Sequence, residues 1–336
     1  MKRATTDKLI CAVDLGGTNL RAANIDSRGR LHERVKSKTP DSEKAEDIVN
    51  AIVAAVESCA VEAAKRAARI DAVSVAVPGS VHAQTRAIVN APNVPAIVDF
   101  GLAEALETKL QRQVLIENDA NAAALGEMWQ GAARDHHTIV CLTLGTGVGS
   151  GIILNGELWR GVDGTAGEIG HTSVDPFGGA KCECGNTGCL EVCASGTAIV
   201  RMTREELSKH PASRLNSGAA ADLTTREVAD AAALGDELAV EIFRRMGTYL
   251  GIAAANIVNT LNPEMIVIGG GVSERSTCLL KPHEKKWPGA PFQFRRNAAE
   301  SCAPNAETMR ACWGLLGWHL RGYRVLGVGF RRPAGP

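Results

Sequence analysis

Residues 9–26 read LICAVDLGGTNLRAANID and residues 137–156 read HTIVCLTLGTGVGSGIILNG. Each is an apolar run, a glycine-rich turn and a second apolar run, the pattern of two strands joined by a turn. The second half of the chain therefore restarts the design of the first, an internal echo of pattern more than of identity. A chain of 336 residues is long enough for two domains, because single cores stop growing well before that length.

The segments around these hairpins fit that division. Helix is expected from Asp41 to Ile70, with Asp41 or Ser42 as N-cap and Ile48, Ile52, Val56 and Cys59 on one apolar stripe. Two buried strands follow, DAVSVAVPG at 71–79 and QVLIEND at 113–119, and then the helical stretch NAAALGEMWQGA at 121–132. The domain boundary is placed here, with a hinge near Asp119 to Asn121. Further on come a polar loop between Ser208 and Ala221, a helical tract from Thr225 to Thr260 and a strand, MIVIGGG, at 265–271. The expected division is a small α/β domain at 1–120, a large α/β domain at 121–274, and an atypical tail at 275–336.

Composition narrows the function classes. Lys plus Arg and Asp plus Glu are both 37, so no basic field is available to hold nucleic acid. No apolar run approaches the length of a membrane helix, and the run at Leu9 to Val13 is too short for a signal peptide, so a cytoplasmic protein is expected. Ten cysteines in a chain of this length do not make a small secreted disulfide framework.

Three of them crowd between Cys182 and Cys189. With His171 they give one nitrogen and three sulfur ligands, His171, Cys182, Cys184 and Cys189, the set that a tetrahedral structural zinc takes. Redox-active thiols are the alternative. Four protein ligands leave no open position, which argues against a catalytic zinc. The two glycine turns, Asp14–Asn19 and Leu144–Gly149, expose runs of backbone N–H that suit phosphate oxygens, and Gly269–Gly271 offers a third such place. None is followed by the Gly-Lys-Ser/Thr of a P-loop.

DLGGTNLRAA (14–23), ENDANAAALGE (117–127), LGTGVGSGIILNG (144–156), GEIGH (167–171) and CECGNTGCLE (182–191) resemble, in order, the motifs of the ROK sugar kinases. The resemblance spans roughly residues 9–273. It implies a two-domain actin-like ATPase (ribonuclease H-like) fold with a zinc-binding loop, and ATP-dependent phosphorylation of a hexose at its 6-hydroxyl, glucose first. It places Asp14, Gly16, Gly17, Thr18 and Asn19 on the ATP phosphates with Asp14 near Mg2+. Gly145, Thr146 and Gly147 lie on the phosphates from the other domain, and Gly269, Gly270 and Gly271 meet the adenosine. Asp119 becomes the general base, and Gly79, Asn93, Asn118, Asp119, Glu168, His171 and Glu191 contact the sugar. From position alone Asn118 or Asp119 is equally an N-cap for the helix that follows, and Asn93 a turn residue before Pro95.

Several alternatives stay open within that resemblance. N-acetylmannosamine, N-acetylglucosamine and fructose kinases share the pattern, as do sugar-responsive repressors, which carry an N-terminal helix-turn-helix not read in the residues before the first strand. A zinc-stabilised protein that binds sugar without turnover is a third reading. Homodimers are implied by family analogy alone.

After Glu274 the resemblance ends, and three of the five tryptophans and three of the ten cysteines fall beyond it. Back-translating Ala306–Gly314 as GCG GAG ACG ATG CGG GCG TGC TGG GGG and reading from the third nucleotide gives Gly-Asp-Asp-Ala-Gly-Val-Leu-Gly, which resembles the family's closing motif. The same offset over Cys278–Pro288 gives an amphipathic helix. A frame change near Arg275 is therefore expected, against the alternative of a divergent tail that packs normally.

Overall fold

The computed structural model describes residues 7–217, 223–276 and 328–329. Strand β1 (Asp7–Leu15) turns through the first glycine run into β2 (Asn19–Ile25), and the antiparallel register sets Asp14 opposite Arg21. Strand β3 (Leu31–Lys38) extends the edge, and helix α1 (Ala45–Lys65) crosses over to β4 (Ala68–Val77), which runs parallel to β1. A short ribbon, β5 (Ser80–Val81) with β6 (Ile88–Asn90), precedes helix α2 (Leu102–Leu110) and β7 (Gln113–Asn118), parallel to β4. The sheet order is β3-β2-β1-β4-β7.

The α1 stripe forms as its spacing predicts. Ile48, Ile52, Val56 and Cys59 are fully buried in one core with Val13, Val73, Val75, Leu106 and Val114, each large aliphatic contributing about 1.5–3 kcal/mol relative to an exposed side chain. The ends differ from expectation. The helix begins at Ala45 after Lys44, not at Asp41 or Ser42. Ser42 is spent on the approach, its hydroxyl donating to Asp47 and accepting the Lys44 N–H. The helix stops short of Ile70 because Ala67 turns left-handed, φ 54°, and β4 starts at the next residue.

Helix α3 (Asp119–Gln130) follows β7 directly. The second hairpin is β8 (Ile139–Leu144) and β9 (Val148–Leu154), continued by β10 (Glu157–Leu158). Helices α4 (Leu190–Ala194), α5 (Gly196–Leu207), α6 (Thr225–Ala233) and α7 (Glu237–Leu261) lead to β11 (Met265–Gly269), α8 (Gly271–Ser276) and the two-residue β12 (Val328–Gly329). This sheet has the order β10-β9-β8-β11-β12, with β11 parallel to β8.

The helical tract expected from Thr225 to Thr260 forms, as two helices. Gly235 at φ 83° breaks it, and Asp236 caps α7 by accepting the Ala239 N–H, while Thr224 and Glu227 form a capping box on α6. Within the expected polar loop, Arg214–Ser217 forms a 3-10 turn tied to Asp236 through Ser213 and the Arg214 N–H. The remainder of that loop, 218–222, and the tail from 277 on, apart from 328–329, lie outside the described residues.

The described chain divides into two compact units, 7–137 with 151–166, and 138–150 with 167–217, 223–276 and 328–329. The second has its own core, in which α7 contributes Ile242, Phe243 and Met246 alongside Leu144, Leu190, Cys193 and Val228. Among the described residues no helix is long and apolar enough to cross a membrane.

Candidate functional site

In the first unit the predicted residues collect where the parallel strands β1, β4 and β7 end, the edge at which open α/β sheets hold ligands. Asp14 is the penultimate residue of β1, Gly79 lies two residues beyond β4, and Asn118 closes β7. The Asn118 amide donates to the Gly79 carbonyl at 2.9 Å and to Asp119 Oδ1 at 3.2 Å. Gly79 sits at φ 138° with Asn90 and Ala91 where a Cβ would go, so only glycine fits this approach. Asn93 abuts Gly17, whose built Cβ would lie 3.0 Å from that of Asn93.

Asp14 is 5% exposed and accepts from Arg21 Nη1 at 2.9 Å, both side chains being buried. Burial pushes its carboxyl up to about 7, against the lowering influence of Arg21; the negative charge of Asp119 adds to the rise. The two carboxyls thus sense one another. Both residues serve the start of α3: Asn118 Oδ1 accepts the Asn121 N–H at 2.9 Å as the N-cap, and Asp119, half-buried and first in the helix, accepts the Ala120 N–H at 2.8 Å.

In the second unit the turn between β8 and β9 is braced from below. Gly196 N–H donates to the Gly145 carbonyl at 2.8 Å, Thr197 Oγ1 donates to Thr146 O at 2.9 Å, and Glu191 accepts the Val148 N–H at 2.9 Å while occupying the space beside Gly147. Each turn spends its first glycine N–H on closing itself, Gly16 onto Asn19 O and Gly145 onto Gly147 O. Gly270, at φ 98°, lies so close to Leu144 that a side chain would collide with its backbone, which brings the triple glycine beside the second turn. Glu168 is exposed, and His171, three residues later, ends the 3-10 turn Ile169–His171.

The cysteine cluster assembles as its spacing predicts. One ligand atom from each of His171, Cys182, Cys184 and Cys189 lies within 4.8 Å of the others. Cys184 Sγ and Cys189 Sγ are 3.6 Å apart, and Cys182 Sγ and His171 Nδ1 are 3.5 Å apart. Thiolates bound tetrahedrally at about 2.3 Å stand roughly 3.7 Å from one another, so the edge lengths suit a zinc ion. Gly185 and Gly188 take φ 94° and 66° to wrap the loop, which Tyr249 of α7 anchors by donating to Asp175 at 2.9 Å. Burial, then the neighbouring thiols, pushes Cys189 up to about 12, while the backbone contact with Asn186 draws Cys184 down. Cys193 is a buried core residue outside the set.

Three supporting residues escaped the sequence. Arg21 meets Asp14 only through the hairpin register. Ser150 donates to the Gly167 carbonyl and accepts the Ile169 N–H at 3.1 Å, bracketing Glu168. Arg160 meets Glu117 from 43 residues away. A basic residue seven positions after Asp14, across a glycine turn, was the one available signal.

Comparisons with known proteins agree with one another. A match to the ROK family covers residues 10–317. The chain is 39% identical over 279 residues to a glucokinase of Halalkalibacterium halodurans, covering 82% of this chain and 84% of that protein. Among solved structures, a ROK family glucokinase from Streptomyces griseus in complex with glucose and AMPPNP is similar at TM-score 0.68 and 36% identity, over 81% of this chain and 86% of that one. A ROK family transcriptional regulator, homologous to the Escherichia coli MLC protein, is similar at TM-score 0.75 and 28% identity, over 82% and 68%.

Proposed function

The chain belongs to the ROK family and has its two-domain actin-like ATPase fold, and from that premise we propose an ATP-dependent hexose kinase acting on the sugar 6-hydroxyl, with glucose as first substrate. The observation that carries this reading is the carboxylate of Asp119 at the head of α3, its Oδ1 held by the Ala120 N–H and the Asn118 side-chain amide, grouped with Asp14 and Gly79 at one sheet edge. Phosphoryl transfer asks the protein mainly for position and charge. Asp119 orients the 6-hydroxyl and takes its proton as that oxygen attacks the terminal phosphorus of ATP, and ADP departs.

Gly79, Asn93, Asn118, Glu168, His171 and Glu191 are the residues we assign to the sugar hydroxyls; a carboxylate accepts several hydroxyl hydrogens, which suits a polyol. The turn residues Gly16–Asn19 and Gly145–Gly147 face the phosphates, and Gly269–Gly271 the adenosine. Asp14 is a hard oxygen donor beside the first turn, the kind of single carboxylate that Mg2+ takes together with phosphate oxygens. When bound, Mg2+ supplies charge neutralisation on the phosphates. His171, Cys182, Cys184 and Cys189 hold a structural zinc. With His171 Nδ1 turned to the thiols, Nε2 is left for the sugar, so one imidazole joins the metal to recognition. We place the enzyme in the cytoplasm, as a homodimer by family analogy.

ADP release from ATP and Mg2+ with glucose, mannose, fructose, N-acetylglucosamine and N-acetylmannosamine tests the reading. Turnover on glucose above the others is expected. Silence across the panel from metal-loaded protein that still binds a sugar would overturn the kinase in favour of a sugar-binding regulator. The frame change near Arg275 is tested by nucleotide sequence across those codons: an uninterrupted frame whose tail is shared by related genes would sink it.

A further inference from the structure

Glu117, the residue before the Asn118–Asp119 pair, has a full set of partners. Its Oε2 accepts both Nε and Nη2 of Arg160, at 2.9 and 2.7 Å. Its Oε1 accepts the Asn118 N–H at 3.0 Å and the Asn121 side-chain amide at 3.0 Å. A carboxylate has about four acceptor positions, and all four are taken. Two of the four partners bracket Asp119 and Ala120. Arg160 itself belongs to a closed loop, in which its carbonyl accepts the Ala166 N–H at 3.1 Å and Gly164 is seated against the Val81 carbonyl.

The guanidinium is 39% exposed and the Glu117 carboxylate 16%. The pair matters beyond cohesion, since two donors in a rigid fork on one oxygen fix where the carboxylate points.

We propose that Arg160 is a positioning residue for Asp119: it fixes Glu117, and Glu117 fixes the Asn118 backbone N–H and the Asn121 side chain on either side of the base. The proposal rests on the reading of Asp119 as general base. Misplacement of a reacting group by about 1 Å costs up to roughly 100-fold.

The test compares full-length wild type, Asp119→Asn, Arg160→Ala, Arg160→Lys and Glu117→Gln with ATP, Mg2+ and the hexose that turns over. Arg160→Ala is expected to lower kcat about 10- to 100-fold with sugar KM within about threefold and the melting temperature within about 3 °C. Added guanidinium ion restores part of the loss, and Arg160→Lys falls between. Amide exchange at residues 118–121 rises in Arg160→Ala and Glu117→Gln, a readout independent of turnover. Wild-type kcat with unchanged exchange in Arg160→Ala overturns the proposal while leaving the kinase intact, and so does a loss that follows the melting temperature without guanidinium rescue. Activity undiminished in Asp119→Asn overturns the reading of the base, and the proposal with it.

Discussion

The two glycine hairpins share a strand–turn–strand pattern and differ in what stands beside it. Aligned on Leu15 and Leu144, Asp14 corresponds to Thr143 and Arg21 to Ser150. In the first hairpin the two positions form a buried ion pair at 2.9 Å. In the second, Ser150 holds the backbone on both sides of Glu168, and the carboxylate against the turn, Glu191, arrives from α4. The repeat therefore copied a way of presenting a turn and left the chemistry to be filled in separately: the first hairpin carries its charge on its own strands, the second grips the segments that carry theirs.

The largest expected effect follows from that asymmetry. If the chemical step is served from the first unit, Asp119→Asn lowers kcat at least about 100-fold and leaves sugar affinity nearly unchanged, whereas Glu191→Gln acts chiefly on KM. Steady-state kinetics with calorimetric sugar binding separate the two. Equal losses of kcat in both would erase the division of roles.

The proposed zinc would set the second unit apart again. Cys184→Ser, or chelation of the wild type, is expected to remove bound zinc and to cost several kcal/mol, about 10 °C in melting temperature. Exchange protection should fall first in residues 171–191 and last in the core of α1. Metal analysis beside calorimetry checks this, and a metal-free wild type with an unchanged melt would contradict it.

A third difference lies in pH. The Asp14 carboxyl, held at about 7 instead of its ordinary 3.8, binds its proton more tightly in the folded state. Its contribution to stability is complete below about pH 4 and is lost as pH rises through 7, by a few kcal/mol at most. Asp14→Asn removes that slope even though it lowers the baseline by leaving Arg21 buried without its anion. Urea unfolding at pH 5, 6, 7 and 8 reads the slope; parallel curves for variant and wild type would show that Asp14 does not titrate there.

What could be read from the sequence was local. The glycine turns, the α1 stripe and the four zinc-type ligands are each set by spacing within one segment, and each formed as expected. Ends and partners were harder. Gly235 divides the expected helical tract into α6 and α7, a break the sequence reading did not place. Arg160 and Ser150 acquire their meaning from partners 43 and 17 to 19 residues away, which periodicity does not report.

The smallest expected effect bears most directly on the comparison. Ser150 stands where Arg21 stands, and its hydroxyl serves the Gly167 carbonyl and the Ile169 N–H together. Ser150→Ala leaves both without that partner, at a cost of about 1–3 kcal/mol if water does not replace it. Glu168 is exposed and is held from these two flanks, so part of the cost should appear as weaker sugar binding, a KM raised up to about 10-fold. Asp119 lies in the first unit, so kcat should stay within about twofold, and Ser150→Thr, which keeps the hydroxyl, should restore KM. A fall in kcat at constant KM would mean that the second hairpin, like Asp119 in the first unit, serves the chemical step, and the separation of holding from chemistry would have to be given up.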